Sequence, residues 1–69
     1  MARFVIYKDL KGEYRWRFKA NNGEIIAVSS EGYTQKQNAT NSINLVKNLA
    51  YGAEVVDNTI PSLPFRLYP

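Results

Sequence analysis

The sequence predicts an α+β fold, a two-layer βββαββ arrangement in which an antiparallel meander packs on one helix. Three observations lead to it. Residues 13–20 alternate strictly between polar and apolar side chains; Leu10-Lys11-Gly12 and Asn21-Asn22-Gly23 punctuate the first 30 residues as turns. Beyond Tyr33 the apolar period changes from two to about 3.6.

Arg3 to Asp9 reads as the first strand, closed by Leu10-Lys11-Gly12. Parity fixes the loop length, because a one-residue slip exchanges the two faces of a strand. A three-residue loop with Gly12 in the left-handed region pairs Asp9 with Glu13, Ile6 with Trp16 and Phe4 with Phe18. A loop of two or four would put Phe4 and Ile6 on the arginine face. The second strand follows, with Tyr14, Trp16, Phe18 and Ala20 on one side and Glu13, Arg15, Arg17 and Lys19 on the other.

Asn22-Gly23 is a hairpin signal, since both central residues of a type I′ turn need positive φ. Taken as a two-residue loop, it sets Phe18 opposite Ala27 and Ala20 opposite Ile25. On the other face it sets Arg17 beside Val28 and Lys19 beside Ile26. Residues 1–30 are therefore expected to form the three-stranded meander.

Residues 34–51 are expected to be helical. Thr34 and Gln37 have the spacing of a capping box, and Ala39, Ile43, Val46, Leu49 and Ala50 form one apolar stripe. The natural partner of that stripe is the Phe4/Ile6/Trp16/Phe18 face of the sheet. Gly52 ends the helix, and residues 53–57 are expected to make a short strand. Residues 58–64, with Pro61 and Pro64, read as an extended connector, and residues 65–68 alternate again as a terminal strand.

The 69 residues, 45% hydrophobic and 22% charged, suit a single domain spanning residues 1–69. Such a chain buries only about 60% of the surface its unfolded state exposes, which leaves a thin stability margin. There is no cysteine for a disulfide, and with no histidine a zinc site would have to be built from carboxylates. Tight packing or oligomerisation is left to supply the missing stability.

The same two absences remove thiolate and imidazole chemistry and the ordinary transition-metal sites. Ser29, Ser30, Ser42 and Ser62 lack the context of a nucleophile elbow, and the four glycines are spread through turns. The expectation is a protein that is not an enzyme, with no cofactor and no metal. Without a charged n-region followed by a long apolar segment, a cytoplasmic location and no membrane contact are expected. The longest apolar run, Phe4-Val5-Ile6-Tyr7, is far short of the ~20 residues a spanning helix needs.

Nine Lys and Arg against six Asp and Glu give a net charge of +3. Tyr7, Arg15, Arg17 and Lys19 are the candidate ligand- or partner-binding residues, with Arg3, Val5, Ile26 and Val28 beside them on the outer face of the sheet. Cations interleaved with apolar and aromatic groups can track a phosphate backbone or meet a protein partner. The bland alternative is that their stems cover apolar sheet surface while the heads stay in water. Tyr14, Trp16 and Phe18 share the parity of Phe4 and Ile6, so they read as core rather than as a base-stacking platform.

Phe4-Val5-Ile6-Tyr7-Lys8-Asp9, Gly12 to Ala20, Asn22-Gly23-Glu24-Ile25-Ile26-Ala27, Glu31-Gly32-Tyr33 and Ala53-Glu54-Val55-Val56-Asp57 together resemble the YegP-like family. The likeness covers roughly residues 4–57 and stops before Pro61. It implies a domain of unknown biochemical activity, met singly or in tandem, with a βββαββ fold in which two copies join one sheet and exchange C-terminal strands. The residues alone also favour a homodimer, since a terminal strand on a proline-stiffened connector is suited to a neighbour's sheet edge. Phe65 and Leu67 are the expected dimer-interface residues.

Overall fold

The computed structural model describes residues 1–59. Strands β1 (Arg3–Lys8), β2 (Tyr14–Lys19) and β3 (Ile25–Val28) precede helix α1 (Lys36–Leu49). The strands form one antiparallel sheet in the order β1-β2-β3, so the fold is α+β with β2 central. The expected terminal strand at 65–68, and most of the connector at 58–64, lie outside the described residues.

Between β1 and β2 the register is the expected one, with Phe4 opposite Phe18 and Ile6 opposite Trp16. The three-residue loop closes with Asp9 N–H donating to Glu13 O at 2.9 Å and Gly12 N–H donating to Asp9 O at 3.0 Å. Gly12 takes a φ of 83°, where a side chain would be strained.

The second hairpin departs from expectation at its tip. Ala20 N–H donates to Glu24 O at 2.8 Å and Gly23 N–H to Ala20 O at 2.9 Å, so the loop is the three residues Asn21-Asn22-Gly23 rather than two. Gly23, at φ 90°, repeats the role of Gly12. Lys19 consequently faces Ile25 instead of Ile26, and Ala20 no longer faces Ile25. A bulge then shifts the ladder by one residue, and Phe18↔Ala27 and Arg17↔Val28 hold as expected.

The helix crosses the Phe4/Ile6/Trp16/Phe18 face, and Trp16 at 6% exposure is the centre of the core, with Ala39 and Ile43 buried against it. Phe4 meets Trp16 edge-on with ring centroids 5.3 Å apart and stacks on Phe18 at 4.5 Å. The indole Nε1–H donates to Ser42 Oγ at 2.7 Å, and the Ser42 hydroxyl in turn donates to Ala39 O at 2.8 Å. On the other side of β2, the buried Ser29 hydroxyl oxygen accepts the Trp16 backbone N–H at 3.2 Å.

Three further expectations are corrected. The capping box does not form: the N-cap is Gln35 without a side-chain bond, and Gln37 reaches along the helix to Asn41 at 2.9 Å. Thr34 therefore sits one residue too early to cap. Only the first half of the apolar stripe is covered, since Val46, Leu49 and Ala50 are exposed. Residues 53–57 are not a strand, because extended backbone needs a neighbour to pair with and none of the described residues lies alongside. No helix among the described residues is long and apolar enough to cross a membrane.

Candidate functional site

The outer face of the sheet is set by parity and register. Its rows are Arg3–Lys19–Ile25, Val5–Arg17–Val28 and Tyr7–Arg15, so three cations run down the central strand. Ile25 takes the place expected for Ile26.

Two of these cations already have partners within the domain. Arg15 Nε donates to Asp9 Oδ2 at 2.7 Å, and the Arg17 guanidinium lies 4.1 Å from the centre of the Tyr7 ring. The Arg15 hydrogen bond, helped by the Glu13 and Lys11 backbone amides, lowers the Asp9 pKa below its ordinary value; Asp9 raises that of Arg15. Asp9 Oδ1 accepts the Lys11 N–H at 2.9 Å and the Glu13 N–H at 3.0 Å, which locks the first loop. Sequence reasoning missed this role, although aspartate at the first position of a type I turn signals it.

A second surface lies along the free edge of β1. Because Asp9 and Glu13 are a hydrogen-bonded pair, the pairs at Tyr7, Val5 and Arg3 are bonded too, and Phe4, Ile6 and Lys8 turn their N–H and C=O groups away from β2. The side chains of those three residues point to the helix side. There a cavity of about 420 Å³ is lined by Phe4, Ile6, Tyr7, Lys8, Tyr14 and Lys36. The Lys8 ammonium stands 5.1 Å from the centre of the Tyr14 ring. The floor is apolar and the rim carries two lysines and no acid. This site too was missed, yet the even parity that Lys8 shares with Phe4 and Ile6 placed it on the helix side.

Gly32 brings the loop before the helix over Glu13 and Arg15, and Tyr33 exchanges backbone hydrogen bonds with Tyr14 at 2.7 and 2.8 Å. Among the described residues no group of three or more acidic, cysteine or histidine side chains converges to hold a metal.

A small antiparallel sheet with one helix across one face, an open edge and a lysine-rimmed groove defines a small α+β domain. Residues 9–57 match the family described as a domain of unknown function, DUF1508, and the chain belongs to this YegP-like family. A UPF0339 protein of Agrobacterium fabrum is 49% identical over 59 residues, which are 86% of this chain and 94% of that one. One from Neisseria meningitidis serogroup B is 62% identical over 45 residues, 65% of this chain and 79% of that one. The solution NMR structure of a protein from Haloferax volcanii matches with a TM-score of 0.76 at 43% identity, covering 81% of this chain and 93% of that one. That of ATU0232 from Agrobacterium tumefaciens matches at 0.70 and 49% identity, covering 86% and 94%. None of these names states an activity.

Proposed function

We propose that the chain is a homodimeric structural or interaction module of the cytoplasm, without catalytic activity, in which each copy lends an extended segment to the other. The observation that supports it is the open β1 edge beside the lysine-rimmed groove, set against the chain's own residues 53–57. That segment lies exposed, with Val55 91% accessible, and carries Glu54 and Asp57 at either end of two valines. Laid on the β1 edge of a second copy, it pairs with the open backbone groups of Phe4, Ile6 and Lys8. Because side chains alternate along an added strand, one acid and one valine, Glu54 with Val56 or Val55 with Asp57, then meet the lysines and the apolar floor.

Sedimentation at several concentrations tests the reading. The full chain runs as a dimer whose stability rises with concentration. Lys8→Glu with Lys36→Glu gives a monomer, and adding Glu54→Lys with Asp57→Lys restores the dimer. Deleting residues 61–69 leaves the dimer in place if Glu54–Asp57 is the exchanged segment; a monomer after that deletion assigns the exchange to the tail with Phe65 and Leu67. A full chain that stays monomeric at high concentration contradicts both versions.

The cation column Arg15, Arg17 and Lys19 supports a second reading, weak sequence-independent nucleic-acid binding. Affinity for single-stranded DNA that falls steeply with salt, and falls further in Arg17→Ala with Lys19→Ala, is its signature. No affinity at low salt removes it.

A further inference from the structure

The tip of the second hairpin, Asn21-Asn22-Gly23, holds a reactive pair. Asn22 is followed by glycine, and both residues are exposed. A Cβ built on Gly23 would meet nothing within 4 Å, so the domain leaves the space beside it open. The Asn22 side chain folds back on its own backbone, where Oδ1 accepts the Glu24 N–H at 3.0 Å. That bond draws electron density from Cγ and stabilises negative charge that develops on Oδ1. The other asparagines differ. Asn38, Asn41, Asn44 and Asn48 lie in α1, where the helical ladder holds the following amide. Asn21 precedes Asn22 and Asn58 precedes the β-branched Thr59, so a side chain crowds the amide beside each of them.

We propose that Asn22 is a site of backbone-assisted deamidation, which turns the aged chain into a substrate for an isoaspartyl carboxyl methyltransferase. Hydroxide takes the proton of the Gly23 amide, and its nitrogen attacks Asn22 Cγ. As the new N–Cγ bond forms, the Cγ–Nδ2 bond breaks, and the amide group leaves as ammonia with a proton from water. A second water then opens the cyclic succinimide. Attack at Cγ gives aspartate, and attack at the Asn22 main-chain carbonyl gives isoaspartate, with the chain running through Cβ and Cγ. Nothing is oxidised or reduced. One contact governs the rate: the Gly23 N–H donates to Ala20 O at 2.9 Å and must release it first. At the tip of an exposed loop that bond opens locally, without unfolding of the domain.

The two products act differently on the hairpin. Aspartate at this position keeps an oxygen for the Glu24 N–H and suits the same turn. Isoaspartate adds one atom to the backbone of a three-residue loop whose length sets the pairing of Lys19 with Ile25 beside the bulge. Either product lowers the net charge of +3 by one. The site lies between β2 and β3, away from the β1 edge, so it stands whether or not the chain dimerises.

The test incubates the folded full chain at mildly alkaline pH and body temperature, then reads its proteolytic fragments by mass spectrometry. A gain of one mass unit should appear in the fragment carrying Asn22 and in no fragment from α1. The aged chain should accept methyl groups from S-adenosylmethionine in the presence of a purified isoaspartyl methyltransferase, and the fresh chain should not. Asn22→Ser, at an exposed turn position, should abolish both signals while circular dichroism shows the fold retained. Amide NMR shifts of the aged chain should change over residues 20–25 and stay in place along α1. A free peptide of residues 19–25 serves as the unfolded reference. If the peptide converts completely while the folded chain shows no mass gain, the proposal is overturned. Mass gain spread over the helical asparagines, or gain at Asn22 without methyl acceptance, overturns it as well.

Discussion

Replacing Ser42 by alanine removes one oxygen from the middle of the domain and leaves the Trp16 indole N–H without its acceptor. The bond is 2.7 Å long and the indole is 6% exposed, so water does not readily take the place of the hydroxyl. An unsatisfied buried donor costs about 1–3 kcal/mol. Against the roughly 3–10 kcal/mol that a 69-residue domain holds in total, this is a large share. A loss near 2 kcal/mol lowers the melting temperature of so small a domain by about 8–16 °C. Thermal and urea unfolding by far-UV circular dichroism, at one fixed concentration, measures it. The Ser42 hydroxyl also donates to Ala39 O, so the single variant alone does not isolate the indole bond. Trp16→Phe removes the donor while retaining an aromatic ring, and in that background Ser42→Ala should cost at least 1 kcal/mol less, by the size of a typical hydrogen bond. An equal cost in both backgrounds would refute the claim that the indole depends on Ser42.

Trp16→Ala, which empties the centre of the core, should cost about 3–5 kcal/mol and leave most molecules unfolded at body temperature, as read by circular dichroism. Gly32→Ala places a Cβ within 2.8 Å of the Glu13 Cβ and should destabilise by about 1–3 kcal/mol; an unchanged urea midpoint would mean the loop shifts freely. Asp9 has a folded pKa below its unfolded value, so its contribution is present in full above the unfolded pKa and is lost as pH falls through the folded one. Asp9→Asn should therefore flatten the acid side of the stability profile and leave its alkaline side parallel to that of the parent chain.

Parity made the first hairpin legible, because only a three-residue loop put Phe4 and Ile6 on the face of Trp16 and Phe18. The second hairpin was legible for a different reason. The expected two-residue loop was one residue short, but the bulge between Phe18 and Lys19 takes up that residue, so Phe18↔Ala27 holds by either route. Asn22-Gly23 suits both loops, since each needs Gly23 at positive φ, and only the hydrogen bonds of Ala20 distinguish them. The helix was visible in the period of Ala39 and Ile43, while its start was not: Thr34 has the right spacing to Gln37 and the wrong position in the first turn. The roles of Ser29 and Ser42 were hidden because serine carries no periodic signal. They become necessary once Trp16 is placed at the centre, since its buried indole N–H needs an acceptor, which Ser42 supplies, and its backbone N–H another, which Ser29 supplies.

The charge pattern of the sequence pointed to the outer face, and the arrangement of partners redirects that weight. Arg15 is held by Asp9 and Arg17 lies over Tyr7, so a ligand on that face must compete with contacts the domain already makes. Lys8 and Lys36 have no acidic partner among the described residues, and they rim a groove whose adjoining backbone groups are open. Free charge beside an unpaired edge favours an extended partner over a phosphate track, because the edge offers a line of amide and carbonyl groups that a nucleic acid has no ladder to match. The proposed pairing of these lysines with whichever of Glu54 and Asp57 of a second copy shares their face is exposed to solvent and subject to screening. It sets register and orientation more than strength, and the valine on the same face as that acid supplies the burial. On that reading the dimer should loosen only modestly between low and physiological salt, whereas binding through the outer-face cations would fall steeply over the same range.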